Sequence, residues 1–298
     1  KGTIVNAIQG YPTYMTFFTT ADRLEIGGHP FVTATDKPTR KEALDYYRKV
    51  VQNEDLNVQT FSEVTAISKA PGGFQLQVTR DGREKTELTA RKLVMATGYF
   101  DNPKLLGVPG EDGPKGGYYT EAHPFFRRNV TIVGAGSSAA DAALDLFRGG
   151  ANVTMVHRGD DFRHSLKYWV RPNLENRIKE GSIKLHLNTV VQEITPEEVI
   201  ASQDGNEVSI PSHQTFLLSG YYAPADLLRD VGVRFNEESL VCELDEDSFE
   251  SNVPGLYMVG SCGHGVRTSD VFIENGIVHA RAAMDDIVKK LQPEAVSG

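Results

Sequence analysis

Residues 130–158 constrain this chain more than any other stretch, because they spell strand, glycine turn, helix and strand in one run. Val130-Thr131-Ile132-Val133 has the composition of a buried strand, and Gly134-Ala135-Gly136-Ser137-Ser138-Ala139 then fits G-x-G-x-x-A. An alanine-rich helix follows, stops at Gly149-Gly150, and gives way to Asn152-Val153-Thr154-Met155-Val156. Gly134 permits the tight turn, Gly136 lets backbone approach a pyrophosphate, and the small Ala139 lets helix pack on strand. The helix N-terminus, opened by Ser137 and Ser138, presents N–H groups to phosphates. The run predicts a dinucleotide-binding βαβ unit. Ser138-x-x-Asp141 has the spacing of a capping pair and reads as structural.

The residues that close this unit bear on which dinucleotide it takes. An NAD site places a carboxylate after the second strand to bind the ribose 2′-hydroxyl. His157-Arg158 stands there instead, with Arg163 and Lys167 beyond. Guanidinium groups clamp phosphate as two-pronged donors, so NADPH is favoured over NADH. The other reading is a solvated basic turn.

At 298 residues the chain has room for about two domains. With 40% hydrophobic and 24% charged residues it reads as an ordinary globular protein. A net charge of −9, with no basic stripe, argues against a nucleic-acid partner. No apolar run approaches the roughly 18 residues of a membrane helix, so no membrane role is expected. The first residue is Lys1 rather than a methionine, and no signal-peptide pattern follows it. Cys242 and Cys262 make neither a disulfide framework nor a C-x-x-C pair, so a reducing cytoplasm is expected. The histidines lack ligand spacing, and no metal is predicted.

Two copies of one architecture emerge along the chain. Thr39-x-x-Glu42 is a capping box that starts a helix with Leu44, Tyr47 and Val51 on its buried face. Phe74, Leu76 and Val78 alternate as a strand, Asp81-Gly82 signals a hairpin, and Leu93–Ala96 is a buried strand running into Thr97-Gly98-Tyr99. The same grammar returns with Lys184–Leu187, the Asp204-Gly205 hairpin and Phe216–Tyr221. Residues 1–36 are irregular, with an aromatic run from Tyr11 to Phe18 that suits either core packing or the wall of a flat ring site. Near the end, Val253–Gly260 reads as turn and strand, Ser261–Thr268 as a loop, and Phe272–Leu291 as a long helix entered through Ile273-Glu274-Asn275-Gly276. A helix N-terminus there could steady negative charge on a ligand edge, or simply complete the sheet.

Together these residues resemble flavoproteins in which FAD and NADPH domains interleave. Thr97-Gly98 resembles that class's strand-end contact to FAD, and Val253–Tyr257 with Gly260 and Ser261 resembles its C-terminal flavin-binding return. His157-Arg158 with Arg163 resembles its 2′-phosphate site, although Gly159 stands where many members carry a second arginine. Within the class the chain is most similar to the bacillithiol-disulfide-reductase family, relatives of bacterial thioredoxin reductase. Tyr11-Pro12, Leu24–Gly27, Lys37–Arg40, Ala96–Tyr99, Val108–Asp112, Glu121–Pro124, Lys167–Trp169 and Phe272–Gly276 carry the likeness. The resemblance implies an α/β fold of two interleaved Rossmann-like domains, with parallel sheets and β-meanders. Residues 1–116 and 238–298 would form the FAD-type domain and 117–237 the NADPH domain. It implies NADPH and FAD as cofactors, a low-molecular-weight disulfide as substrate, and a homo-oligomer. The first FAD glycine motif and the family's reactive cysteine are absent, and Lys1-Gly2 reads as the continuation just past that unit. The FAD-domain βαβ unit is thus expected to be truncated, and FAD itself to be absent if the chain is a natural remnant.

Thioredoxin reductase proper would need a C-x-x-C dithiol before the NADPH motif, and residues 117–128 hold no cysteine. A flavin monooxygenase, a ferredoxin- or flavodoxin-NADP reductase, and a flavin-free NADPH-binding remnant stay open. Cys262, with His264 two residues away, is the one weak catalytic candidate, against the common fate of cysteine as buried packing. Glu121 and His123 read as a surface hinge into the NADPH domain.

Overall fold

The computed structural model describes residues 2–113, 116–117, 119, 121–164 and 166–292. Lys1, Tyr118 and Thr120, on which the reading of the chain start and of the cysteine-free stretch partly rests, lie outside the described residues. The chain divides into two compact units, Lys1–Asn102 with Tyr221–Gly298, and Pro103–Gly220.

In the first unit, α1 (Asn6–Gln9) and a 3-10 turn at Ala21–Leu24 are the regular pieces of the irregular N-terminal stretch. The helix α2 (Arg40–Asn53) starts where the capping box places it: Thr39 and Glu42 satisfy each other's backbone N–H groups. Its buried face is Ala43, Tyr46, Tyr47 and Val50, shifted from the expected face because Phe31 stacks flat on Tyr46 at 4.1 Å. Of the aromatic run, Phe17 is buried while Tyr14 and Phe18 stay exposed.

Three strands, β1 (Ser62–Ala70), β2 (Gly73–Arg80) and β3 (Glu84–Ala90), form an antiparallel meander. Phe74, Leu76 and Val78 bury one face of β2. Asp81 and Gly82 both take positive φ, as a tight hairpin turn needs. The strand β4 (Leu93–Met95) pairs in parallel with β13 (Leu256–Met258), Leu93 opposite Leu256 and Met95 opposite Met258. A short helix α5 (Asp226–Val231) buries Leu228 and Val231 in the cluster that holds Ile67 and Phe74. The long α6 (Ile273–Leu291) covers Tyr257 and Val259 with Ala283 and Ile287.

The second unit is a five-stranded parallel sheet in the order β5-β12-β6-β7-β8: β5 (Gly116–Gly117), β6 (Asn129–Val133), β7 (Asn152–Val156), β8 (Ile183–His186) and β12 (Gln214–Leu217). Helix α3 (Ser137–Arg148) lays Ala139, Ala140, Ala142, Ala143, Leu144 and Leu146 against Ile132, Val153 and Met155. Its alanines bring backbone close to the sheet, and each fully buried leucine-sized side chain adds about 1.5–3 kcal/mol. Helix α4 (Arg171–Lys179) buries Leu174 in the same cluster. A second meander, β9 (Thr189–Ile194), β10 (Glu198–Gln203) and β11 (Asn206–Pro211), repeats the first, down to positive φ at Asp204 and Gly205.

The units divide earlier than 116/117 and 237/238. Leu106 and Val108 pack with Ile194 and Val199 of the second unit, and Ile194 N–H donates to Pro109 O at 2.9 Å. Residues 226–231 instead bury their apolar side chains in the first unit. Glu121 and His123 therefore lie inside the second unit, exposed on its surface.

Candidate functional site

The glycine turn after β6 shows why it needs glycine. Gly134 takes φ +140, and a Cβ there would stand 2.3 Å from the carbonyl oxygen of Leu218. Gly134 N–H donates to Val156 O at 2.9 Å, tying the turn to the end of β7. Gly136 caps α3 in an extended conformation, so the Ser137–Ala139 turn carries the helix's leading N–H groups. Ala139 is fully buried beside Gly134, and Ser138 is exposed. The Ser138–Asp141 capping pair does not form: α3 has no side-chain cap, and Asp141 accepts from Lys167 Nζ at 2.8 Å. Lys167 N–H also donates to Ser137 Oγ at 3.2 Å, which folds the loop after β7 onto the start of α3.

That loop carries the expected cations. His157 N–H donates to His186 O at 2.8 Å, and Arg163 N–H donates to Ala135 O at 3.1 Å, inside the glycine turn. Arg158 and Arg163 are exposed, and neither pairs with a carboxylate among the described residues. The His157 imidazole is pushed below its usual range by burial and then by Arg158 and Arg163, so it is neutral at neutral pH. The structure brings Lys104 to the same place, a residue the sequence did not single out. Its ammonium is pushed down by burial, then by Arg163 and Arg158. Nothing local marks Lys104, because its neighbours are more than fifty residues away in the chain.

In the first unit, Ala96 and Thr97 are exposed past the end of β4, and Gly98 turns at φ +66. Val259 N–H donates to Met95 O at 2.9 Å, so the ends of β4 and β13 lie together. Gly260 follows at φ +71, and Ser261 Oγ lies 4.0 Å from where a Gly98 Cβ would stand. A Cβ at Gly276 would meet Gly260 Cα at 3.3 Å, so two glycines let the first turn of α6 approach this loop. Thr97, Gly98, Gly260, Ser261 and Gly276 thus gather at one place. Glu274 and Asn275 already have partners: Thr19 Oγ1 donates to Glu274 at 2.8 Å, and Asn275 Oδ1 accepts from Phe272 N–H at 3.1 Å.

Cys262 does not suit thiolate chemistry. It is buried, its Sγ donates to Met95 O at 3.1 Å and Val259 O at 3.4 Å, and burial pushes the thiol up to about 12. Cys242 is pushed up to about 11 by the same cause. His264 points its ring toward His279, 6.2 Å between centroids, with its Nδ1 buried and unpartnered among the described residues. Burial also pushes the His264 imidazole below its usual range. Among the described residues, no helix is long and apolar enough to cross a membrane.

The comparisons with known proteins agree with one another. Residues 1–260 match the family model described as pyridine nucleotide-disulphide oxidoreductase. The chain is 35% identical to the bacilliredoxin reductase Bdr of Bacillus subtilis, over 97% of this chain and 89% of that protein. Among solved structures, the bacillithiol disulfide reductase Bdr (YpdA) of Bacillus cereus superimposes with a TM-score of 0.94 at 37% identity, covering 97% of this chain and 90% of that one. The Staphylococcus aureus protein of the same title gives 0.90 at 35% identity, with 98% and 90% covered. The fold is the α/β arrangement of thioredoxin-reductase-like proteins. The chain belongs to the pyridine nucleotide-disulphide oxidoreductase family.

Proposed function

We propose that this chain is an NADPH-dependent flavin oxidoreductase that passes electrons to a low-molecular-weight disulfide, as the titles of its relatives state for them. The observation that carries the reading is the glycine turn at Gly134 with carboxylate-free Arg158 and Arg163 folded beside it. A side chain at Gly134 would collide with backbone, and unpaired guanidinium groups are a ready anion site, so these residues fit a phosphorylated dinucleotide. The proposed domains are an NADPH-binding part around 117–237 and an FAD-type part formed by 1–116 with 238–298. The compact units place the crossings at 102/103 and 220/221.

Bound NADPH supplies a hydride, and FAD relays the two electrons to the acceptor. The leading N–H groups of α3 would orient the pyrophosphate, and Arg158 would hold the 2′-phosphate. Neutral His157 adds no charge there and packs under Gly159, whose Cβ would meet the imidazole Nε2 at 2.9 Å. Thr97, Gly98, Gly260, Ser261 and the first turn of α6 fit a flat ring approached by backbone, since glycine at three of these positions removes side chains from the contact. Glu274 and Asn275 would act by fixing α6 rather than by touching the flavin. We place the protein in the cytoplasm; both cysteines are free thiols, which suits a reducing compartment.

The test uses purified protein with added FAD. Bleaching of flavin absorbance by NADPH, followed by recovery when a low-molecular-weight disulfide is added, supports the proposal. Recovery only with ferredoxin or flavodoxin would move it to the NADP-reductase alternative. Arg158→Gln is expected to weaken NADPH much more than NADH; equal losses would sink the 2′-phosphate assignment.

A further inference from the structure

Lys104 is pinned to the carboxyl end of β12. Its N–H donates to Gly220 O at 2.8 Å, and its own carbonyl accepts from Ser219 Oγ at 2.6 Å. Gly220 turns there with φ +109, and a Cβ on it would stand 3.6 Å from Arg163 Nη1 and 3.9 Å from Lys104 Cδ. Two cationic side chains therefore flank one point at the end of this strand. The backbone of Arg163 reaches that point from the glycine turn, through its bond to Ala135 O. Neither Lys104 nor Arg163 pairs with a carboxylate among the described residues, although acids outnumber bases 40 to 31 in the chain. Like charges held together without counter-charge repel, and the lowered ammonium of Lys104 reports that repulsion. An anion between them would remove it.

The strand order says which anion. The sheet runs β12-β6-β7, so Arg158 stands at the end of β7, on the far side of β6 from β12. Two strand spacings, roughly 10 Å, separate β12 from β7. In a dinucleotide bound across such a sheet, the 2′-phosphate sits by the strand after the glycine helix and the pyrophosphate sits at the helix N-terminus. Lys104 lies on the pyrophosphate side of this division.

We propose that Lys104, with Arg163, binds the bridging pyrophosphate of the dinucleotide from the β12 side, leaving selection of the 2′-phosphate to Arg158. Gly220 keeps the space between the two cations open. The proposal rests on the cofactor reading above and reassigns Arg163 within it.

Isothermal titration of the whole chain with NADP⁺, NAD⁺ and 2′-AMP tests both separately. Lys104→Met is expected to weaken NADP⁺ and NAD⁺ by the same factor, on the order of tenfold for one charge-assisted contact, and to leave 2′-AMP unchanged. Arg158→Met is expected to weaken NADP⁺ and 2′-AMP while sparing NAD⁺. Lys104→Arg, which keeps the charge, should retain most of the affinity and so separates charge from folding. Loss of 2′-AMP binding in Lys104→Met, or no change with any ligand, overturns the proposal. A wild type that does not discriminate NADP⁺ from NAD⁺ overturns the 2′-phosphate reading and leaves the Lys104 result standing on its own. One that binds neither dinucleotide overturns both.

Discussion

Replacing Gly134 by alanine tests the core of the argument, because the structure fixes what the added carbon meets. Its Cβ would lie 2.3 Å from Leu218 O, whereas carbon–oxygen contacts ordinarily begin at about 3.3 Å. The turn and the end of β12 must part by roughly 1 Å. A non-glycine residue at φ +140 adds about 1–3 kcal/mol of backbone strain, and crowding adds about 1–3 kcal/mol more. A loss of about 2–6 kcal/mol is expected, against a total stability of about 5–15 kcal/mol for a typical protein. A shift of this size in the pyrophosphate loop should also cost about a hundredfold in nucleotide binding. Gly159→Ala is the matched control. Its nearest contact is the end of the His157 ring at 2.9 Å, which can swing aside, so the cost should stay below about 1 kcal/mol. Urea melts give the stabilities, and titration with NADP⁺ gives the affinities. A Gly134→Ala protein as stable and as tight-binding as wild type would refute the reasoning, whatever the control does.

Three further outcomes follow from single groups. Tyr257 is fully buried and its hydroxyl donates to Asp286 at 2.7 Å, so Tyr257→Phe should cost about 1–2 kcal/mol in a urea melt. Asp286 is held below the usual carboxylate range by its hydrogen bonds from Lys290 and then Tyr257. Its contribution is therefore complete above the unfolded value, about 3.9, and disappears as the pH falls below it. Lys290→Met should flatten that part of a stability–pH profile, and an unchanged profile would show the network contributes nothing. Cys262, protonated and buried, should resist thiol reagents in the native protein at pH 8 and react after unfolding; rapid native labelling would reopen its redox role.

What the sequence revealed and what it hid divide along chain distance. Thr39 and Glu42, three apart, wrote their capping box in plain view, as did the positive-φ hairpins Asp81-Gly82 and Asp204-Gly205. Gly134, Gly136 and Ala139 were legible because a glycine turn and its helix are local. Helix α4 escaped because it buries only Leu174, although Pro172 in its first turn was a start signal. Helix α5 escaped because it is one short turn and a half, although Gly232, at φ +86, marked its stop. Asp141 had the right spacing to cap α3 and found Lys167 instead, a partner that only the folded loop supplies. Lys104 could not be read at all. Its meaning depends on Gly220 and Arg163, which local pattern does not connect to it.

The repeated Gly-Tyr ending shows how one architecture can serve two ligands. Gly98 and Gly220 each follow a parallel strand and each turn at positive φ, at +66 and +109. What surrounds the two glycines differs in chemistry. Ser261 Oγ is the nearest group to the empty Cβ position at Gly98, a neutral hydroxyl on a loop that two further glycines keep low. Arg163 and Lys104 flank the same position at Gly220. The glycine is required in both places for the same steric reason, that backbone must turn sharply where a ligand comes close. Charge is required in only one, because a dinucleotide's phosphates need counter-charge and a flavin's ring edge does not. On that argument the fold sets where ligands sit, and the side chains beside each turned glycine decide which ligand it is. Exchanging Lys104 and Arg163 for neutral residues should therefore abolish nucleotide binding in the second unit while leaving the fold of its sheet, and its urea midpoint, in place.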